Sequence, residues 1–299
     1  MIRVAGDVGW DLFFEVDHFP GPDEKVFTGH TASDVGGVGA NSALAVALLG
    51  GEVSLAARLG GDPFGAEAAE RLRGFAVDLS LSRVDAGCAT PLAIIVTDPS
   101  GEKRIVLAPT AGMFPDAAQV VGQAFSRPEW LHMVAYDLAA AEAIAAALPG
   151  VPASLDLEPA SVPGGEVGRM AALAALMDTV IVNERSAALF GGPQEAVAAL
   201  RGWGVPMVLL TRGAAGAVCV APEGEWVLRP PPVEVVDTTG AGDTFAGAYA
   251  LARTRGAAVP QAARYAVAAA SLSCRGLGPR GAVPTTAEIE EALQTMEGE

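Results

Sequence analysis

Apolar positions along this chain fall into short runs separated by longer Ala- and Leu-rich stretches. Residues 2–5, 53–57, 130–134, 153–157, 179–182 and 207–210 are short and mainly apolar, as strands buried on both faces are. Between them, 40–49, 66–74, 139–148, 170–175, 193–202 and 244–255 predict helices. This alternation predicts an α/β fold, a mainly parallel sheet with helices on both faces. In such folds ligands sit at the carboxyl ends of the strands. Two segments break the rhythm. Residues 12–30 carry Phe13, Phe14, Val16 and Phe19 before a Pro-Gly-Pro turn at 20–22. Residues 91–108 carry Ile94, Ile95 and Val96, a turn at 98–101, then Arg104 to Leu107. Both read as β-hairpins without helices, and so as a small secondary sheet projecting from the core. No internal repeat or low-complexity linker interrupts the chain, and the Pro run at 230–232 reads as a rigid approach to the segment that follows. Residues 1–299 are therefore expected to form one domain with the hairpins inserted in it.

Composition narrows the function. At 51% hydrophobic and 18% charged, the chain of 299 residues suits a large packed core. Its net charge of −16, from 19 Lys and Arg against 35 Asp and Glu, argues against nucleic acid or an anionic membrane as main partner. A phosphate site in such a chain has to be built locally, from backbone amides, a metal ion and a few Arg. Cys88, Cys219 and Cys274 are too far apart for a metal motif and imply no disulfide framework, and His18, His30 and His132 have no ligand spacing. The start, Met1 to Gly6, resembles a first strand rather than a signal peptide, and charges break the longest apolar stretches. A soluble, cytoplasmic protein is expected.

The most specific string is Asp237-Thr-Thr-Gly-Ala-Gly-Asp243-Thr-Phe-Ala-Gly247. With the apolar run 233–236 before it and an Ala-rich stretch after it, it predicts strand, Gly-rich turn, helix. The amides of Gly240, Ala241 and Gly242 at such a turn form an anion hole, aided by the helix dipole. Asp243 puts a carboxylate beside that hole, where accepting a proton from an attacking hydroxyl is a suitable role. The same string also fits a plain turn with Asp243 as helix N-cap. A second Gly-rich turn, Gly36-Gly37-Val38-Gly39-Ala40-Asn41, enters another apolar helix. There Gly36 and Gly37 would let a sugar lie against the backbone while the Asn41 amide bonds its hydroxyls, and a tight turn with Asn41 at the helix start is the alternative. Asp11, in Gly9-Trp10-Asp11, is read as a carboxylate just past the first strand that can accept from two vicinal hydroxyls. Trp10 would stack on a ring or pack under the projecting sheet.

Taken together, these strings resemble the two signatures of the ribokinase-like (PfkB) carbohydrate kinases. The first continues into Arg58-Leu59-Gly60-Gly61-Asp62-Pro63-Phe64-Gly65, and the second ends in an Asp that matches Asp243. The resemblance runs over nearly the whole chain. It implies a three-layer α/β fold whose small sheet is a lid over the sugar site, often shared across a homodimer. It implies transfer of the γ-phosphoryl of ATP, with Mg²⁺, to a primary hydroxyl of a sugar or sugar-like substrate. Asp11, Gly36, Gly37 and Asn41 would hold the acceptor, with Arg104 on the second hairpin a candidate contact or a surface pairing residue. Asn183, Thr211, Arg212, Gly213 and Gly216 would serve the nucleotide side. Asp237 and Thr239 resemble the family's monovalent-cation loop, which suggests K⁺. Three positions depart from the pattern: Gly9 stands for an Asn, Val38 for the Lys of ribokinase, and Ser186 for the Glu of Asn-x-x-Glu, with Glu184 a possible stand-in. Val38 in place of Lys, together with Trp10, keeps a nucleoside kinase of the same family open, and Ser186 with Gly9 a non-catalytic binding protein.

Overall fold

The computed structural model describes residues 1–100, 102–109, 114–121 and 127–297; Gly101 of the turn expected at 98–101 lies outside them. In chain order the strands are β1 (Ile2–Ala5), β2 (Gly9–Val16), β3 (Thr28–Gly36), β4 (Val53–Ala56), β5 (Arg58–Gly60), β6 (Arg83–Asp85) and β7 (Leu92–Thr97). They continue as β8 (Lys103–Ala108), β9 (Trp130–Val134), β10 (Ala153–Leu157), β11 (Thr179–Asn183), β12 (Met207–Thr211), β13 (Ala217–Ala221) and β14 (Gly224–Leu228). The main sheet has the order β14-β13-β12-β11-β10-β9-β1-β4. It is parallel from β12 to β4 and ends in an antiparallel β13–β14 edge. All six apolar runs lie in it. β1, β9 and β10 are buried at every position, so that Arg3, His132, Ser154 and Asp156 lie buried among their apolar residues.

Successive side chains feed opposite layers. Ile2 and Val4 pack with the helices Val38–Leu48, Ala241–Thr254 and Val259–Ser273, while Ala5 packs with Leu138–Ala147 and Pro193–Gly202. Strand order reverses at β1: the chain moves first to β4 on one side and later to β9 on the other. A crevice opens at the carboxyl ends of strands where order reverses in this way, so the topology itself marks a ligand site beside β1 and β9.

A second sheet, β3-β2-β7-β8, rises from that edge. It consists of two antiparallel hairpins joined by a parallel β2–β7 pairing. The expected second sheet, called the lid below, is thus present, but its first hairpin spans 9–36 rather than 12–30. Asp11 consequently lies within a lid strand and not at the end of β1. A second correction concerns 233–236, which forms no strand; Val235 and Val236 are exposed there. The prolines at 230–232 carry no N–H for a ladder, and the chain enters the 237–243 turn held instead by Val236 N–H donating to Cys274 O at 2.8 Å. Residues 170–175 also differ from expectation, forming 3₁₀ turns and a single-turn helix, Ala171–Ala174. Cys219 and Cys274 are buried, Cys88 is partly exposed, and none of the three is in a disulfide among the described residues.

The Val38–Leu48 helix meets the β1 exit backbone to backbone. A Cβ on Gly39 would lie 2.7 Å from both Gly6 Cα and Asp7 N. Gly39→Ala should therefore cost about 3 kcal/mol or more, because main chain cannot yield as a side chain can. Gly74, at the end of the Pro63–Gly74 helix, has no atom within 4 Å of an added Cβ. Gly74→Ala should stay within about 1 kcal/mol of wild type or gain stability. Urea unfolding of the two variants reads the difference; equal midpoints would contradict the close packing.

Candidate active site

Polar residues follow the carboxyl ends of successive parallel strands. Asp7 comes two residues after β1, Tyr136 two after β9, Glu158 directly after β10, Asn183 ends β11 and Arg212 follows β12. Two helix N-termini point at the same edge. Gly39 N–H, in the first turn of Val38–Leu48, donates to Asp7 Oδ1 at 3.0 Å. Asp243 lies in the first turn of Ala241–Thr254, and its Oδ2 accepts from Asn41 Nδ2 at 2.8 Å. The two Gly-rich strings, 202 residues apart along the chain, thus meet at one hydrogen bond.

The Gly-rich turn expected before Asp243 leads into a helix, and the amides at its start differ from those expected to serve an anion. Gly240 caps the helix in the left-handed region at φ 76°. Of the three amides expected to serve the hole, that of Ala241 already donates to Thr238 O at 3.2 Å. The free donors of this first turn are therefore the amides of Gly242 and Asp243, which have no intrahelical carbonyl to bond. Both helix dipoles favour negative charge here.

Burial is the main influence on the carboxylates. It pushes the pKa of Asp243 up to about 8; the Asn41 hydrogen bond opposes this, and the charges of Glu158, Asp7 and Asp11 add to it. Burial likewise raises Asp7, and raises Asp156, on β10, well above the ordinary range with help from Glu158 and Asp243. Glu158 is raised by burial, against the attraction of Arg185.

Asp11 and Asp34 face each other in register on β2 and β3. Like charges so placed repel, and two Arg resolve the pair. Arg71 Nη1 donates to Asp34 Oδ1 at 2.7 Å and Arg280 Nε to Asp34 Oδ2 at 3.1 Å, so Asp34 stays below the usual carboxylate range despite its burial. Asp11 is raised to about 6, chiefly by burial, with Arg280 opposing and Asp7 and Asp34 adding. Gly36 and Gly37 differ from their expected use. A Cβ on Gly36 would fall 2.1 Å from Asp11 Oδ1, and one on Gly37, at φ 99°, 3.0 Å from Asp7 Oδ2. The space these glycines provide is taken by the two carboxylates themselves.

The remaining expected residues divide. Asn183 caps its helix by accepting from Ser186 N–H at 2.8 Å, and its Nδ2 donates to Glu158 Oε1 at 3.1 Å. Ser186 is fully buried, while Glu184 is exposed and pairs with Arg212 at 3.9 Å. Glu184 is thus no stand-in; the carboxylate beside Asn183 is Glu158, from another strand. Thr211 to Gly216 form a tight turn closed by Arg212 N–H donating to Gly216 O at 2.8 Å, with Gly213 inside it. Arg104 is a correction. Its guanidinium lies 3.9 Å from the Phe19 ring centre and pairs with Glu102 at 3.5 Å. Neighbouring residues of a strand face opposite ways, and it is Lys103 that turns inward. Its Nζ donates to Asp237 Oδ1 at 3.0 Å and to Thr239 Oγ1, the two residues expected to hold a monovalent cation. A cavity of about 800 Å³ under the lid is lined by Phe13, His30, Asp34, Lys103, Asp237 and Arg280, among others. Neither Asp243 nor Asn41 is in its wall; Asp34, the partner of Asp11, links the cavity to the carboxylates. Trp10 is buried, 5.8 Å from Phe64 between ring centres, with Arg71 over its ring at 4.7 Å. It packs under the lid.

A model of the pfkB family carbohydrate kinases matches residues 1–286. The chain is 27% identical over 307 residues to a ribokinase of Haemophilus influenzae, covering 98% of both. It is 30% identical over 301 residues to an ATP-dependent ribose-1-phosphate kinase of Halopiger xanaduensis, again covering 98% of both. Its fold matches that of Arabidopsis thaliana ribokinase complexed with ribose and ATP with a TM-score of 0.84, at 26% identity over 98% of each chain.

The raised pKa of Asp243 has a consequence for stability. The folded protein keeps a proton that the unfolded chain loses near 3.8, so stability is full below that pH and falls as pH rises toward about 8. Asp243→Asn removes the titration. The ligand-free variant should melt with wild type near pH 4 and about 2–4 °C above it at pH 8. A difference independent of pH in thermal melts would rule out this account.

Proposed function

This chain belongs to the pfkB family of carbohydrate kinases, and from that membership we propose that it transfers the γ-phosphoryl group of ATP to a primary hydroxyl of a sugar or sugar-like acceptor. The observation that carries the reading is the 2.8 Å hydrogen bond between Asn41 and Asp243, which joins an acceptor-side turn to the anion-hole turn. Asp11 and Asn41 orient the acceptor hydroxyls. Ionised Asp243 takes the proton of the attacking hydroxyl as its oxygen bonds to the γ-phosphorus and the bond to the β-phosphate oxygen breaks, releasing ADP. The amides of Gly242 and Asp243 stabilise charge on the transferring group. Thr211, Arg212, Gly213 and Gly216 line the nucleotide, with Arg212 near its phosphates. The lid excludes water that would otherwise consume ATP.

The chemistry of the donor set fits Mg²⁺. Glu158 raises the proton affinity of both Asp156 and Asp243, and Asp243 that of Asp156, a repulsion that a divalent cation relieves. Among the described residues no three acidic, His or Cys side chains form a metal cage. Glu158 and Asn183 would hold the ion through water and phosphate, as Mg²⁺ prefers. Bound there, it supplies charge neutralisation on the phosphates. The exposed Phe27, Ile105, Val106 and Leu107 of the lid and its connection would be covered in a homodimer. The buried Trp10 offers no surface for stacking a nucleobase, so a sugar acceptor is favoured over a nucleoside. Glu158 beside Asn183 supplies a carboxylate where Ser186 does not, which favours an enzyme over a non-catalytic binder.

Coupled ADP release with Mg-ATP, against ribose, ribose 1-phosphate, fructose, 2-keto-3-deoxygluconate, adenosine and cytidine, tests the reading. A sugar should turn over; silence on every acceptor would refute it. With that acceptor, Asp243→Asn should lose roughly 10²–10⁴-fold in kcat. Because the base must be ionised, kcat/KM, which reports the free enzyme, should rise with pH through about 8.

A further inference from the structure

Lys103 is the first residue of lid strand β8, and its ammonium reaches out of the lid. It donates to Asp237 Oδ1 at 3.0 Å and to Thr239 Oγ1. Asp237 is a hub. Its Oδ1 also accepts from Thr239 N–H at 3.0 Å and Thr239 Oγ1 at 2.7 Å, and its Oδ2 accepts from Gly278 N–H at 2.9 Å. One carboxylate therefore gathers three segments: the lid, the turn that ends at Gly240, and the 276–281 loop. The contact is sheltered, with side-chain exposures of 26% for Lys103 and 11% for Asp237. Burial alone would raise the pKa of Asp237; the bonds from Thr239, Gly278 and Lys103 outweigh it and keep the carboxyl below its ordinary value. The chain has one other lysine, Lys25, which is exposed in the connection between β2 and β3.

We propose that Lys103 is a positioning residue, an ammonium built into the chain that ties the lid to the anion-hole turn and neutralises Asp237 there. Thr239 is followed directly by Gly240, the cap of the helix that carries Asp243. Order at the hub is thereby passed to the anion-hole amides, and lid and anion hole are held as one unit. Removing the charge while keeping the stem, as in Lys103→Met, leaves Asp237 uncompensated. It also opens an ammonium-sized space faced by the oxygens of Asp237 and Thr239. Free K⁺ or NH₄⁺ suits such oxygen donors; the bulky tetramethylammonium ion does not. Wild type, with the space filled, has no need of them.

The tie itself is a property of the ligand-free protein; only its effect on turnover rests on the kinase reading. The test is thermal unfolding of ligand-free wild type, Lys103→Met and Lys25→Met in KCl, NH₄Cl or tetramethylammonium chloride at equal ionic strength. Lys103→Met should melt below wild type in tetramethylammonium and recover by about 2–4 °C in KCl or NH₄Cl, since an ion that binds only the folded state stabilises it. Wild type and Lys25→Met should be indifferent to the cation. If Lys103→Met does not fold, Lys103→Gln, which keeps a donor without the charge, carries the same test. With the acceptor from the panel, the variant should lose about 10–100-fold in kcat/KM, recovered in part by NH₄⁺ or K⁺. Wild-type melting of the variant, equal K⁺ stabilisation of wild type, or a loss that neither ion recovers would each overturn the proposal. A wild type inactive on every acceptor would sink the kinase reading while the melting experiment still decides this one.

Discussion

The charges of Glu158, Asp7 and Asp11 all bear on Asp243, and each of these groups is itself pushed toward its protonated form by burial. A cluster of this kind is tolerated only where positive potential meets it. The parallel topology supplies that potential, because the helices Val38–Leu48 and Ala241–Thr254 present their N-termini to the same sheet edge. Strand reversal at β1 opens a crevice there. The site is thus a balance between carboxylates that repel one another and helix termini that attract them. In the proposed reaction, an incoming metal–nucleotide complex would add cation on one side and phosphate on the other.

The lid is subject to the same balance. Asp11 and Asp34 lie opposite each other on β2 and β3, and the pair persists because Arg71 and Arg280 take up Asp34. Arg280 comes from the 276–281 loop, and Gly278 of that loop bonds Asp237. Two ionic contacts therefore join the lid to the segment that frames the anion hole, one through Arg280 and one through Lys103. In a chain of net charge −16, these cations are placed where the lid would otherwise be driven off by like charge.

Much of the site was legible because glycine and aspartate in a fixed order are hard to explain otherwise. Asn41 and Asp243 were identified from two strings, and they share a hydrogen bond. What was missed follows a simple rule. Asp7, Tyr136 and Glu158 are the first polar residues after β1, β9 and β10, the edge where ligands bind, yet no motif surrounds them. Arg104 was named as a candidate contact or a surface pairing residue, and Lys103 went unnoticed, because a one-residue change of facing along a strand leaves no trace in composition. A glycine string says that something approaches the backbone, and at Gly36 and Gly37 the protein's own Asp11 and Asp7 do so.

The sequence by itself determined the layered α/β architecture and the anion-hole turn, because both depend on local patterns. Strands buried on two faces are mainly apolar, helices between them must be apolar enough to cover the sheet, and a turn that approaches an anion needs glycine. Only the tertiary structure decided which charges meet. The pairing of Asp11 with Asp34, the reach of Arg280 to the lid, the position of Glu158 beside Asn183 and the Lys103–Asp237 contact all join residues far apart in the chain. Their energies depend on distance and burial, quantities set by the packing of the whole chain and by no segment of it alone.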